Sequence, residues 1–256
     1  MIDDFTPIIH RLEGRSIKLY PIADVHLGAK ECDLANFRKF LEKIRLSEDS
    51  YIVLVGDLIN NATRNSVSSI YEETLSPSAQ CDLAVELLEP VKDRILGVVS
   101  GNHELRSVKD TDLDPTRFIC ERLGIGDLFR QNFAFLRISL EKGNISDSYA
   151  IYMTHGKSAT KQKKFAQSAI EGVDAIITGH VHDGNISKHS RISINQKNAI
   201  KVKSIVSITA ASWLNYGGYA ARGQFLPTVN ASEGPQALLL EWTGTNKRYG
   251  KIQVVW

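Results

Sequence analysis

Short apolar runs alternate with amphipathic segments through the first hundred residues. The runs at 16–24, 51–57 and 94–102 have the length and composition of buried strands. Between them, residues 33–46 and 77–92 show the apolar spacing of helices. Strand, helix, strand, helix, strand is the order typical of an α/β sheet with crossover helices.

The rest of the chain continues this alternation and then becomes mostly β. In the middle we predict helices at 112–124 and 158–172 and strands at 133–141, 148–155 and 174–180. From about residue 186 onward we predict strands in the runs NISKHSRISI, AIKVKSIVSITA, QALLLEW and GKIQVVW. With no repeat and no long linker, residues 1–256 are expected to form one α/β domain, with two packed sheets and helices outside.

Composition narrows the class of protein but not its partner. The 256 residues are 43% hydrophobic and 23% charged, which is ordinary globular composition. A formal net charge of +2 gives no argument for a nucleic-acid or membrane partner. No run approaches the length of a membrane helix, and the first residues lack an export signal, so the expected compartment is the cytoplasm. Three scattered cysteines, Cys32, Cys81 and Cys120, predict neither a disulfide framework nor a thiolate zinc site.

Candidate ligands for a metal follow five of the predicted strands. The blocks are Asp24-Val25-His26, Gly56-Asp57, Gly101-Asn102-His103-Glu104, His155-Gly156 and Gly179-His180-Val181-His182. Ligands of open α/β sheets bind where the carboxyl ends of strands meet, so these blocks are expected to converge. Each block by itself could be an ordinary turn or helix cap. Turns and caps do not explain why all five blocks occur at strand ends.

The donor atoms indicate the kind of ion. Carboxylate, amide and imidazole groups without thiolate suit Mn, Fe, Zn or Ni. Seven donors, Asp24, His26, Asp57, Asn102, His155, His180 and His182, are too many for one ion and enough for two that share a carboxylate. In a strand, His180 and His182 would face the same way and present two imidazoles together.

The ordered blocks resemble the calcineurin-like metallophosphoesterase superfamily over residues 24 to 182. The resemblance implies a four-layer αββα sandwich of two mixed sheets flanked by helices, with a binuclear metal centre at the strand ends. It implies that Asp24, His26 and His182 bind the first ion, that Asn102, His155 and His180 bind the second, and that Asp57 bridges them. Two divalent ions are therefore expected as cofactors, manganese before iron, zinc or nickel.

The resemblance also implies a mechanism. A hydroxide bridging the ions would attack phosphorus in line with the leaving oxygen. His103 would assist at the phosphate or the leaving group, and Glu104 would hold His103 through its second ring nitrogen. The three catalytic candidates are thus His103, Asp57 and Glu104.

The second block departs from the pattern of protein serine/threonine phosphatases. Many members continue this block as G-D-x-x-D, and those phosphatases as G-D-x-x-x-R-G. Here it reads GDLINNATRNS, with Asn60, Asn61 and Arg64, so the arginine that grips a phosphomonoester is not in its usual place. This departure argues against a phosphoprotein phosphatase. We take Asn60, Asn61 and Arg64 as candidate substrate contacts.

Two weaker signals concern the substrate. In segment 211–228, aromatic residues stand beside glycines and Arg222, so that Tyr216 and Tyr219 could stack a base while Arg222 contacts phosphate; the alternative is that the aromatics pack between the sheets. The segment also resembles phosphoesterases carried by phages and prophages. Lys157, Lys161, Lys163 and Lys164 form either a basic rim or a solvated helix face.

The expected activity is metal-dependent hydrolysis of a phosphate ester. A phosphodiester is favoured, with a nuclease on DNA or RNA first. A phosphohydrolase on nucleotides, cyclic nucleotides or other small esters is the alternative, and an inert metal-binding scaffold is the alternative of another class. No membrane partner is expected, and the oligomeric state stays open, a homodimer through an edge strand or the C-terminal QVVW being one option.

Overall fold

Two six-stranded sheets form the centre of the molecule. The computed structural model describes residues 4–64, 66, 69–142, 145–156, 169–194, 198–222, 227–242 and 251–255. Its strands are β1 (Ile8–Glu13), β2 (Ser16–Ile22), β3 (Ser50–Val55), β4 (Ile95–Val99), β5 (Phe129–Arg130), β6 (Phe133–Lys142), β7 (Ile145–Thr154), β8 (Ala175–Thr178), β9 (Asn185–Ile194), β10 (Ile200–Thr209), β11 (Ala237–Glu241) and β12 (Lys251–Val255).

Both sheets are mixed. Sheet I has the strand order β1-β6-β7-β8-β10-β9, and sheet II has the order β12-β11-β2-β3-β4-β5. Strands β2, β3, β4 and β5 run parallel in sheet II, and β7, β8 and β10 run parallel in sheet I. Parallel neighbours end at the same edge of a sheet, so each sheet has one edge at which several loops gather.

Helices lie on the outer face of sheet II. They are α1 (Leu34–Leu46), α2 (Pro77–Leu88) and α4 (Pro115–Arg122). The structure also has α3 (Glu104–Thr111) and the short α5 (Gly218–Arg222). The Asp33 carboxylate caps α1 by accepting from the backbone N–H of Asn36 at 3.2 Å. The apolar face of α1 then buries Phe37, Phe40 and Ile44, as its spacing predicts.

The apolar core is layered like the sheets. One cluster joins sheet II to α1, α2 and α4, and a second, with Leu19, Val53 and Ile151, fills the space between the sheets. A smaller cluster around Tyr152 and Ile176 lies on the outer face of sheet I. The α/β sandwich of two mixed sheets flanked by helices that the sequence indicates is confirmed.

The structure corrects several predicted boundaries. The helix at 77–92 ends at Leu88 and continues as a 3-10 helix over Glu89–Arg94. The helix predicted within 112–124 is confirmed, with Asp114 as its N-cap, Pro115 as its first residue and Arg122 as its last. Strands β1 and β5 and helix α3 were not predicted, because their apolar runs are short or irregular. Most of the predicted helix at 158–172 lies outside the described residues, and so do Lys157, Lys161, Lys163 and Lys164. In the part of the chain that the structure describes, no helix combines the length and the apolar character that crossing a membrane requires.

Candidate metal centre

Every block of candidate ligands lies just beyond a strand. Asp24 and His26 follow β2, Asp57 follows β3, and the block with Asn102 follows β4. These three strands are parallel neighbours in sheet II. His155 follows β7, and His180 and His182 follow β8, its parallel neighbour in sheet I. The two edges meet, so seven polar side chains from two sheets face one another.

The first group of donors gathers around Asp24. His182 Nε2 lies 3.3 Å from Asp24 Oδ1 and 3.3 Å from His26 Nε2, and His26 Nε2 lies 3.8 Å from the same carboxylate oxygen. Asp24 and His26 are buried. The three donor atoms therefore surround one small space, as ligands of a single ion would.

The second group gathers around His155. Its Nε2 lies 3.1 Å from Asp57 Oδ2 and 3.1 Å from Asn102 Oδ1, and His180 Nδ1 lies 2.8 Å from Asn102 Oδ1. His155 Nδ1 donates to the Val55 carbonyl at 2.7 Å, which leaves Nε2 free to face the cluster. These residues could hold a second ion.

Asp57 connects the two groups through one oxygen. Besides His155, its Oδ2 faces His26 Nε2 at 4.0 Å and His103 Nε2 at 3.7 Å. Its other oxygen, Oδ1, accepts from the backbone N–H of His103 at 2.8 Å. One oxygen is thus fixed by the backbone, and the other is presented to both groups.

The charges of the cluster are strongly coupled. Burial opposes ionisation of Asp24, but the imidazoles of His182 and His155 outweigh it and hold the pKa of Asp24 well below its usual value. Burial likewise opposes the charged form of His155, but Asp57 and Asp24 raise its pKa to about 10. Both carboxylates are therefore ionised at neutral pH. An ion that binds here must displace the proton of His155, so metal binding releases protons.

An orphaned oxygen tests whether the site suits a cation. Asp24 Oδ1 is fully buried and has no hydrogen-bond partner among the described residues, although Asp24 Oδ2 accepts from the backbone N–H of His180 at 2.9 Å. This ionised oxygen faces imidazole nitrogens, so its charge is compensated either by protonated imidazoles or by a cation bound between them. The donor set therefore fits divalent metal.

The loops that carry these residues have unusual backbone. Asp24, His26, Asp57, His180 and His182 all have positive φ, between 51° and 73°. Residues other than glycine rarely adopt this left-handed backbone conformation. Where they do, they often lie at functional sites. The strain is thus concentrated in the cluster.

Two glycines let the loops approach closely. A Cβ atom at Gly56 would lie 2.6 Å from the backbone of Gly101, and one at Gly101 would lie 2.1 Å from Asp57 Oδ1. No side chain fits in either place. The glycines of the Gly-Asp and Gly-Asn-His blocks therefore serve the contact between the loops after β3 and β4.

Comparison with known proteins agrees with this geometry. The family model of calcineurin-like phosphoesterases matches residues 17–184. The chain belongs to the calcineurin-like phosphoesterase family. No curated protein matches its sequence.

Solved structures with similar folds have low sequence identity to this chain. A metallophosphoesterase from Sphaerobacter thermophilus is 12% identical, with 94% of this chain and 89% of that one covered and a TM-score of 0.42. Vacuolar protein sorting 29 from Cryptosporidium parvum is 14% identical, with 94% and 98% covered and a TM-score of 0.41.

His180 and His182 do not face the same way, although strand alternation predicted that they would. Strand β8 ends at Thr178, so His180 and His182 lie in the loop beyond it, both with positive φ. His182 faces Asp24 and His26, whereas His180 faces Asn102. The turn of the loop, not strand periodicity, therefore divides the two imidazoles between the groups.

Glu104 has a different role from the one that the resemblance implied. It does not contact His103, whose Nδ1 lies 2.5 Å from the carbonyl oxygen of Asn60. The buried Glu104 carboxylate instead accepts three backbone N–H groups, from Asp57 at 3.0 Å, Ile59 at 3.1 Å and Gly101 at 2.9 Å. Glu104 thus joins the loops after β3 and β4. Its sequence position beside His103 could not show this, because its partners are backbone groups.

We expect Glu104→Ala to destabilise the protein and to weaken its hold on metal. Three buried N–H groups would lose their acceptor, at about 1–3 kcal/mol each. Chemical denaturation of the metal-free protein should therefore show a free energy of unfolding lower by about 3 kcal/mol or more. Glu104→Gln keeps a carbonyl acceptor and should lose less. Glu42→Ala, which removes an exposed carboxylate paired with Arg45, is the matched control; equal stability of Glu104→Ala and Glu42→Ala would contradict the assignment.

The three candidates in the Asn60–Arg64 stretch lie in different environments. Asn60 lines a cavity beside the cluster, and its amide donates to Glu73 at 2.6 Å. Asn61 is buried and donates to the carbonyl of His103 at 2.8 Å, so it supports the loop and is not placed to contact a substrate. Arg64 is exposed and does not line the cavity.

Segment 211–228 divides between core and cavity. Trp213 is buried against Phe37 and Phe40, with ring centroids 5.0 and 5.1 Å away, which is the packing alternative. Tyr216 is 52% exposed and lines the cavity. The side chains of Tyr219 and Arg222 lie outside the described residues.

Proposed function

We propose that this chain is a phosphodiesterase that uses two divalent ions, manganese before iron, zinc or nickel. The observation that carries the proposal is the pair of donor groups that share one oxygen of Asp57. Asp24, His26 and His182 would hold one ion, Asn102, His155 and His180 the other, and Asp57 both. When bound, the ions supply Lewis acidity and a nucleophile at neutral pH.

His103 is the residue placed to move a proton. Its ring lies beside that of His26, with centroids 4.4 Å apart, and its Nε2 faces the shared oxygen of Asp57. Since the Asn60 carbonyl accepts from Nδ1, proton exchange takes place at Nε2. Hydrolysis forms a bond from phosphorus to the oxygen of water and breaks the bond to the leaving oxygen, which takes up a proton. The attacking water gives up a proton, which the unprotonated Nε2 of His103 would accept and pass to the leaving oxygen.

The charges beside the cluster favour a diester over a monoester. A phosphomonoester dianion is well bound by a guanidinium fork. Among the described residues that line the cavity, Lys30 is the single lysine or arginine, and Glu31 and Glu72 lie in the same walls. Such walls suit a diester, which carries one negative charge at its phosphate.

The same walls favour a compact diester over a long strand. The cavity measures about 280 Å³, near the lower end for small-molecule pockets. On the size of this cavity we place nucleotide-sized diesters first and DNA or RNA strands, which the sequence alone favoured, second.

Removal and return of metal tests the proposal. After chelation, hydrolysis of bis-p-nitrophenyl phosphate should stop, and manganese should restore it because the ions supply the nucleophile. The restored enzyme should turn over this diester at least about tenfold faster than p-nitrophenyl phosphate, since a guanidinium for a dianion is missing from the described cavity walls. A faster monoester rate would contradict the diester preference. Two bound ions with no turnover of either ester would favour the inert scaffold.

A further inference from the structure

A cavity opens directly beside the candidate metal centre. It shares His26, His180 and His182 with the cluster. A group attached to a phosphate held at the cluster would therefore extend into this space. The chemistry of its walls then indicates which group that is.

Backbone hydrogen bonds between two chain segments hold the walls of the cavity in place before a ligand binds. The N–H of Asn215 donates to the carbonyl of Glu31 at 2.9 Å, and the N–H of Asp33 donates to the carbonyl of Trp213 at 2.8 Å. Cys32 and Leu214 form an antiparallel bridge between these contacts. Because Trp213 is anchored in the core, the segment that leads to Tyr216 is held in place.

One wall of the cavity suits a flat ring. Val181, which is 38% exposed, and Leu214 provide apolar surface, and Tyr216 provides an aromatic side chain. Bases stack on such aromatic and apolar surfaces whatever their sequence. Val181 lies between the candidate ligands His180 and His182 in the sequence, so this apolar surface begins beside the candidate metal centre.

The part of the lining next to Tyr216 accepts hydrogen bonds and carries negative charge, because Glu31 contacts the backbone on both sides of this tyrosine. The Glu31 carboxylate lies against the backbone of Gly218, where a Cβ atom would be 2.5 Å from Glu31 Oε1. Gly218 has a φ of +51°, so this close approach suits a residue without a side chain. A carboxylate accepts from the N–H groups of a base and repels a further phosphate.

We propose that this cavity binds the terminal nucleoside of a phosphodiester, with the base against Tyr216 and its N–H groups donating to Glu31. The proposal rests on the phosphodiesterase function and adds a substrate class to it. It also excludes a second phosphate on that nucleoside, because the phosphate would enter the wall that holds Glu31. The enzyme would accordingly prefer ends without a phosphate, or dinucleotide-sized substrates.

Three chromogenic diesters test the proposal on the manganese-loaded protein. They are bis-p-nitrophenyl phosphate, thymidine 5′-p-nitrophenyl phosphate, and the same thymidine ester with a 3′-phosphate. We expect KM for the thymidine ester to be about tenfold lower than for bis-p-nitrophenyl phosphate, as one stacked base would give. The 3′-phosphate should raise KM severalfold. A thymidine ester no better than bis-p-nitrophenyl phosphate, or a 3′-phosphate that lowers KM, would overturn the proposal.

Two variants, each with a matched control, test which residues cause the nucleoside selectivity and the penalty of the 3′-phosphate. Tyr216→Ala should lower the selectivity for the thymidine ester over bis-p-nitrophenyl phosphate about tenfold through KM. Tyr71→Ala, which removes a tyrosine that is 91% exposed and does not line the cavity, should keep the wild-type selectivity. Glu31→Gln should reduce the penalty of the 3′-phosphate, whereas Glu86→Gln, on the surface of α2, should not.

Hydrolysis of bis-p-nitrophenyl phosphate separates the two proposals. If this diester is turned over without selectivity for the nucleoside, the phosphodiesterase function stands and the nucleoside cavity is wrong. If it is not turned over, the function fails, and titration calorimetry with thymidine 5′-phosphate still tests the cavity. Weaker binding to Tyr216→Ala than to Tyr71→Ala would then support it, and equal binding would overturn it.

Discussion

Asp57→Asn should abolish the activity by removing the oxygen that both donor groups share. The Asp57 Oδ2 atom faces imidazole nitrogens of His26, His103 and His155 at 3.1 to 4.0 Å. Loss of a group that only supports a ligand costs about 10- to 100-fold in metal affinity or activity. A shared ligand should cost more, so turnover should fall more than about a hundredfold. Metal analysis should find fewer than two ions per chain.

A matched carboxylate controls this experiment. Asp49 pairs with Lys18 at 3.1 Å at the other end of β3, so Asp49→Asn should keep both metal and turnover. Thermal unfolding of both variants would show that each is folded. Full metal content and normal turnover in Asp57→Asn would contradict the shared site.

His103→Ala should keep metal and lose most turnover. The His103 ring lies beside Asp57 and His26, but it is not among the residues assigned to hold the ions. Burial and the neighbouring His26 lower its pKa to about 3 in the metal-free protein, so it carries no charge that the fold needs. Loss of a positioned acid or base typically costs about a hundredfold to ten-thousandfold in rate. We expect a fall in kcat within that range, with two ions still bound.

Metal content decides between two roles for His103. A ring nitrogen of His103 lies within 4.8 Å of a carboxylate oxygen of Asp57 and a ring nitrogen of His26, which is close enough for His103 to serve as a ligand. If His103→Ala lost an ion together with turnover, His103 would be a ligand and not a proton carrier. His10→Ala, which removes a ring that contacts the carbonyl of Leu96 from β1, should leave turnover and metal content unchanged.

Much of the candidate site could be predicted because its signals are local in sequence. A polar residue directly after an apolar strand marks the end of that strand, and parallel strands end together. For this reason the positions of Asp24, Asp57, Asn102 and His155 followed from the sequence, and the structure places them together. The amphipathic helix at 33–46 was equally local, with its apolar residues at helical spacing.

Contacts that depend on backbone groups could not be predicted. Glu104 stands next to His103 in sequence, but its carboxylate bonds to the N–H groups of Asp57, Ile59 and Gly101. Every residue carries a backbone N–H, so nothing in the sequence marks those three as its partners. The division of His180 and His182 between the two groups depends on loop dihedrals beyond β8; the family resemblance implied it, but strand alternation did not.

The sequence by itself indicated the α/β sandwich, the family and the set of candidate donors, because strand periodicity and short polar blocks are local features of the chain. The tertiary structure added which donor atoms face the Asp57 oxygen. It alone placed Trp213 in the core and Tyr216, three residues later, in the wall of a cavity. The physical reason is that both outcomes depend on how two sheets and their loops pack, and residues far apart in sequence set that packing.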